Sequence, residues 1–261
     1  MKNLENYPFS TPLIFDTHAH YDAPQFDGYL DDLLSSLKNH GVCGIISCGC
    51  DGDTSKQTLD IAHKYDYVYA AVGIHPQDVD HNTPIEVIEE LAKDEKCVAI
   101  GEIGLDYYWV KDNKDLQIEI FKKQLLLAKK LDLPVIVHDR DAHEDTLKLL
   151  KKHKPKGVVH CFSGSVESAE EIIKLGMYIG VGGVATFKNA KRLPEVIENV
   201  PCDKLLLETD CPYLAPEPFR GHTCHSAMIL RTALKVAELK GVDAEELLKI
   251  TRENTKNLFG V

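Results

Sequence analysis

The chain has 261 residues, with 41 Asp and Glu against 30 Lys and Arg, so its formal net charge is −11. That length suits one α/β barrel of about 250 residues, predicted as a single domain over 1–261. The acidic balance excludes a protein that coats nucleic acid through bulk charge, and 44% apolar residues exclude a disordered chain.

Chain order gives an alternation of short apolar runs and longer amphipathic stretches. The first strand is read at 13–18. A helix follows at 29–40, where Leu30, Leu33, Leu34 and Leu37 recur at helical spacing. Strands are then read at 44–48, 67–73 and 97–101, followed by a helix at 116–131. Leu133-Pro134 marks the next boundary, because proline resists helix interiors. A strand at 134–138, a helix at 142–152, a strand at 157–161 and a helix at 166–175 follow. Strands at 178–182 and 204–208 complete the set, and two helices at 225–240 and 243–258 close the chain. Val135-Ile136-Val137 and Leu205-Leu206-Leu207 are continuous apolar runs, the mark of strands buried on both faces of a parallel sheet. Eight strand–helix units point to a (β/α)8 TIM barrel. The alternative, an open doubly wound sheet, lacks a Gly-x-Gly-x-x-Gly after the first strand.

No apolar run approaches the roughly 20 residues of a membrane-spanning helix, and residues 1–12 show no leader pattern. The eight cysteines are read as free thiols of a cytoplasmic protein. Cys224, in a polar loop beside His222 and His225, is the one thiol singled out.

Polar chemistry gathers at the ends of the apolar strands. The first runs into Asp16-Thr17-His18-Ala19-His20 and the fourth into Gly101-Glu102-Ile103-Gly104-Leu105-Asp106. The fifth ends in His138, the sixth in His160 and the eighth in Glu208-Thr209-Asp210. In a barrel, the C-terminal strand ends converge on one mouth, where active sites lie. Alternation puts His18 and His20 on one side, and Glu208 and Asp210 on one side. A lone histidine at a strand end is usually just a satisfied polar residue. Four histidines and two carboxylates together point to a metal site with nitrogen and oxygen ligands. His40, His63, His81, His143 and His153 are read as surface residues.

These residues also carry a resemblance. Besides the segments above, the chain contains Gly73-Ile74-His75-Pro76, Pro134-Val135-Ile136-Val137-His138-Asp139-Arg140, His160-Cys161-Phe162-Ser163-Gly164 and Leu207-Glu208-Thr209-Asp210-Cys211-Pro212-Tyr213-Leu214. In combination they resemble the TatD family of metal-dependent deoxyribonucleases, within the amidohydrolase superfamily. The resemblance implies a barrel with two divalent metal ions (zinc, manganese, magnesium, nickel or cobalt) in its mouth. It also implies hydrolysis of DNA phosphodiester bonds, often from the 3′ end, by a water activated between the metals. Carried over by position, His18, His20 and Asp210 hold one metal, His138 and His160 the second, and Glu102 bridges them. Asp210 is the candidate for orienting and deprotonating the water.

Arg140 is the candidate for a phosphate contact, since its planar fork donates two hydrogen bonds at once. His75 and Arg220 are further substrate candidates. Tyr107, Tyr108, Trp109 and Phe162 flank the mouth loops, where they either stack on bases or pack the loops. The family usually continues Lys-Arg-Asn-Glu-Pro after Arg220-Gly221. Here the chain reads His222-Thr223-Cys224-His225-Ser226, which bears on substrate preference and leaves every proposed ligand in place. The acidic charge favours single-stranded DNA or chain ends as substrate; no membrane is expected as a partner, and a monomer is the default. The alternative is an amide or ester hydrolase of the same superfamily. Glu102 stands where a lysine would support that reading. A non-catalytic metal-binding protein ranks last.

Overall fold

Aliphatic runs bounded by turns become eight strands, all parallel and paired in chain order. They are β1 (Ile14–Ala19), β2 (Val42–Cys48), β3 (Val68–Val72), β4 (Cys97–Asp106), β5 (Val135–Arg140), β6 (Gly157–Val159), β7 (Tyr178–Val181) and β8 (Leu205–Leu207). The helices are α1 (Leu30–Leu37), α2 (Gly52–Lys64), α3 (Ile85–Leu91), α4 (Lys114–Leu131), α5 (His143–His153), α6 (Val166–Lys174), α7 (Leu193–Asn199), α8 (Ile229–Lys240) and α9 (Ala244–Phe259). The structure, a computed structural model, describes residues 5–81 and 83–261. Residues 1–4 and 82 of the predicted domain, and with them the start of the 1–12 segment, lie outside the described residues. The arrangement is the expected (β/α)8 barrel.

Sequence and structure part in several places. Helices α2, α3 and α7 have no counterpart in the sequence reading. The start of α2 is fixed by a capping box: Asp51 accepts the Thr54 amide at 2.8 Å, and the Thr54 hydroxyl reaches back to the Asp51 amide at 2.9 Å. Strands β4 and β5 run past the predicted ends because they pair along that length, Gly104 with His138, Leu105 with Asp139 and Asp106 with Arg140. Strand β8 stops early, and the chain turns at Asp210, whose φ is 59°.

Apolar side chains fill two layers. Phe15, Ile46, Ala71, Ala99, Ile136, Val158 and Leu206 form one cluster with Phe259 of α9, the packing inside the barrel. The opposite strand faces, Ile14, Ile45, Ile100, Val137 and Ile179 among them, pack with Leu34, Phe121, Leu125 and Leu150 of the surrounding helices. Each such side chain contributes about 1.5–3 kcal/mol by leaving water.

Closure between β8 and β1 relies on different bonds. Beyond the last β8 residue, the Asp210 amide donates to the His18 carbonyl (2.9 Å) and the His20 amide to the Cys211 carbonyl (2.7 Å). The buried Asp16 carboxylate accepts the Thr209 amide (3.0 Å), the Thr209 hydroxyl (2.6 Å) and the Ser226 hydroxyl (2.7 Å). Among the described residues, no helix is long and apolar enough to cross a membrane. All eight cysteines are free.

Candidate metal centre

Strict alternation would send the interior side of β1 from Phe15 to Thr17, and that of β4 from Ala99 to Gly101. Both ladders break step, between Asp16 and Ala19 and between Ile100 and Ile103. The shifts turn His18, His20 and Glu102 towards the mouth. Strands β5 and β6 keep their alternation, so His138 follows Ile136 and His160 follows Val158 on the interior side. Asp210 reaches the same place from the turn after β8.

The six predicted ligands converge. Glu102 Oε2 lies 3.3 Å from both His18 Nε2 and His20 Nε2. These two nitrogens are 3.0 Å apart and stand 3.6 and 3.5 Å from Asp210 Oδ1. Glu102 Oε1 lies 2.8 Å from His138 Nδ1 and 2.8 Å from His160 Nε2, which are 3.2 Å from each other. The two oxygens of one carboxylate thus face two separate groups of donors. Ligands held about 2.0–2.2 Å from a common ion stand roughly 3–3.5 Å from each other. Both groups have this spacing, and their donor set of imidazole and carboxylate suits a divalent cation.

Hydrogen bonds behind the ligands set which nitrogen faces inwards. His20 Nδ1 donates to the Cys48 carbonyl (2.9 Å), which leaves the Nε2 lone pair on the site. His138 is reversed. Its Nε2 donates to Asp106 Oδ2 (3.1 Å), so its inward nitrogen is Nδ1. Asp106 also accepts the Gln77 amide group at 2.9 Å. Burial acts to raise its pKa, but hydrogen bonds from His138, the Trp109 amide and Gln77 overcome that and hold Asp106 well below the usual carboxylate range. Glu102 behaves similarly. Burial would favour its neutral form, but the neighbouring imidazoles of His160, His75 and His18 and the His138 hydrogen bond bring it well below the ordinary value. Burial, with His160 beside it, brings His18 down to about 4, whereas at His138 the Asp106 and Glu102 hydrogen bonds outweigh burial and raise the value to about 9.

Glu208 does not share the orientation of Asp210 that alternation implied. It is fully buried, and Oε1 accepts the Cys161 amide. Burial pushes its pKa up to about 8, against the lowering effects of His160 and the Cys161 amide. A Cβ on Gly180 of β7 would come within 2.5 Å of Glu208 Oε2, so that position has room only for glycine.

A cleft of about 1110 Å³ opens over this centre. Arg140 lines it, as does His75. His75 Nε2 is 3.3 Å from Glu102 Oε1, so His75 belongs with the His138 group of donors. Arg220 does not border the cleft; its guanidinium lies 4.1 Å from the Phe187 ring centroid. His143, read as a surface residue, borders the cleft, and its Nδ1 donates to Asp139 Oδ2 at 2.6 Å. Cys50 was not singled out, yet it borders the cleft with Sγ 3.9 Å from His20 Nδ1. Cys224, which was, is fully buried, and burial pushes its thiol well above the ordinary value. The sequence offered one signal for Asp106, its place in the same strand-end run as Glu102.

Comparison with known proteins agrees with this geometry. The family described as TatD related DNase matches residues 15–260. The uncharacterized metal-dependent hydrolase YabD of Bacillus subtilis (strain 168) is 44% identical over 254 residues, covering 95% of this chain and 100% of that one. The uncharacterized metal-dependent hydrolase YcfH of Escherichia coli (strain K12) is 37% identical, with 95% and 96% covered. Among solved structures, the TatD homolog YJJV of Escherichia coli K12 superposes with a TM-score of 0.89 at 35% identity, over 96% of this chain and 99% of that one. A TatD family hydrolase from Entamoeba histolytica gives 0.86 at 25% identity, over 96% and 99%. A family match over nearly the whole chain, together with relatives and solved barrels of the same kind, means that the chain belongs to the TatD family of metal-dependent hydrolases.

Proposed function

We propose that the protein is a metal-dependent deoxyribonuclease that removes nucleotides from the 3′ end of single-stranded DNA. The observation that carries this reading is Glu102, whose two oxygens face two donor groups on the floor of an open cleft. The family's description as DNases supports the choice of a phosphodiester. His18, His20 and Asp210 would hold one divalent cation, and His138, His160 and His75 the other, with Glu102 between them. Zinc, manganese, magnesium, nickel and cobalt all accept such donors in some form. When bound, two such ions supply an activated water and neutralise charge on the phosphoryl group.

The chain's own residues account for the rest. Burial opposes ionisation of Asp210, but the His20 hydrogen bond and the neighbouring imidazoles hold its pKa below the ordinary value, so it is a carboxylate at neutral pH. It orients the attacking water and takes its proton. The water oxygen bonds to phosphorus as the bond from phosphorus to the 3′ oxygen of the preceding nucleotide breaks. That oxygen leaves with a proton from solvent. Arg140, at the end of β5, donates to a non-bridging phosphate oxygen. The free thiols suit a reducing cytoplasm.

The test is cleavage of an end-labelled single-stranded oligodeoxynucleotide by metal-stripped protein, with and without added magnesium, manganese or zinc, beside a Glu102→Ala control. Stepwise shortening from the 3′ end that needs both metal and Glu102 is the expected result. Metal bound in stoichiometric amount without cleavage would instead favour an amide or ester hydrolase.

A further inference from the structure

The loop after β4 presents two aromatic rings to the cleft, and its backbone is held in place. Asp106 Oδ1 accepts the amides of Tyr108 and Trp109, each at 2.9 Å, while Oδ2 accepts His138 Nε2. One carboxylate therefore ties the loop to a donor of the metal centre. The flanking aromatics sort into two kinds. Tyr107 donates its hydroxyl to Asp145 (2.9 Å) and has Lys114 over its ring, and Phe162 is 4% exposed, so both pack the loops. Tyr108 is 45% exposed and Trp109 64%. Their rings meet edge to face at 4.7 Å.

Arg140 completes the group. It is the ladder partner of Asp106, and its guanidinium lies 4.6 Å from the Tyr108 centroid and 5.9 Å from that of Trp109. All three border the cleft that contains Glu102 and His138. Large aromatic surface left in water next to a cation, on a backbone already fixed, suits a flat, electron-rich, partly apolar ligand. A nucleobase has these properties, and its attached phosphate complements Arg140.

We propose that Tyr108, Trp109 and Arg140 form a stacking platform for an unpaired nucleobase of the strand whose phosphate lies at the metal centre. The inference rests on the nuclease reading and narrows it. Stacking uses the face of a base, so the platform accepts any of the four bases. It rejects duplex interior, where neighbouring bases already cover both faces. It also sets nucleic acid chain ends apart from small organophosphates that have no base.

Two readouts on the metal-loaded protein test this. The first compares a single-stranded pentanucleotide with a tetrahydrofuran-phosphate chain of the same length, which keeps every phosphate and lacks every base. Trp109→Ala is expected to raise KM for the pentanucleotide about 10-fold with little change in kcat, to leave the abasic chain unaffected, and to be largely rescued in Trp109→Phe. The second uses the chain's single tryptophan, which is Trp109 itself. The pentanucleotide should quench its emission within the mixing time, before turnover, and the abasic chain should not. Cleavage with no quenching, or an equal loss on both substrates in Trp109→Ala, overturns the platform and leaves the nuclease reading standing. Quenching without cleavage keeps the platform and overturns the nuclease reading. Neither cleavage nor quenching overturns both.

Discussion

The two donor groups that share Glu102 are built in different ways. His138 stands on β5 and His160 directly after β6, two strands that pair with each other without a register shift, and their direction follows from plain alternation. His18, His20 and Asp210 stand at the seam between β1 and β8, where polar side chains bonded to the buried Asp16 carboxylate take over part of the ladder's work. A ladder survives the loss of a side chain because its bonds are backbone bonds. The part of the seam made of hydroxyls and one carboxylate does not. The difference teaches that the two halves of the centre should fail separately, and at different substitutions.

The largest effect is expected where the halves meet. On the proposed two-ion reading, Glu102→Ala should remove both metals, seen as loss of bound metal by elemental analysis, and lower kcat by about 10³-fold while the far-ultraviolet circular dichroism stays that of the barrel. Next comes the seam's own carboxylate. Asp210→Asn should lower kcat by about 10²-fold or more and leave the His138–His160 metal in place, giving one ion per chain instead of two. On the ladder side, Asp106→Asn removes the acceptor that fixes His138. It should weaken that metal about 10–100-fold in a calorimetric titration, with the seam-side metal unchanged.

Smaller still, Ser226→Ala and Thr209→Val each take a hydroxyl from Asp16. Each should cost about 1–3 kcal/mol in urea unfolding and loosen only the seam-side metal. Equal weakening of both metals would show that the centre does not divide in this way. The smallest effect lies at the rim. The Asp139 hydrogen bond raises the pKa of His143 above its ordinary value, against the lowering effect of burial. The folded state thus holds that proton more tightly than the unfolded chain. The resulting stability is complete below about pH 6.5 and fades as pH rises through the higher folded value. His143→Ala should therefore destabilise more at pH 5.5 than at pH 9.5 in paired urea melts.

The same contrast explains what the sequence revealed. On the ladder side, apolar residue and ligand are two apart, Ile136 and His138 or Val158 and His160, so strand and ligand could be read together. On β1 and β4 the interior residue and the ligand are three apart, Phe15 and His18 or Ala99 and Glu102. Their common direction depends on register shifts that no local pattern announces. There the strand-end motifs and the family resemblance, rather than alternation, identified the ligands. Alternation misplaced Glu208 because Asp210 sits in a left-handed turn. Helix α2 was missed because it buries Ser55 and Thr58 beside Leu59, Ile61 and Ala62, which blurs its apolar face. Helices α3 and α7 have only seven residues each. The role of Asp106 depends on a histidine 32 residues away, and nothing in the sequence placed Arg220 over Phe187.

The seam also sets the order in which the centre can be assembled. Its bonds join Asp16 to residues 193 and 210 positions further along the chain. Closing so long a loop carries an entropy cost that local pairing does not. Synthesis delivers β1 first and its partners nearly last. Until Thr209 and Ser226 emerge, Asp16 lacks the three remote donors it accepts in the folded chain, and His18 and His20 wait without Asp210. The ladder-side donors are all present once His160 has been made. A chain terminated before the seam would therefore lack Asp210 and the remote partners of Asp16, while Glu102, His138 and His160 are already in hand.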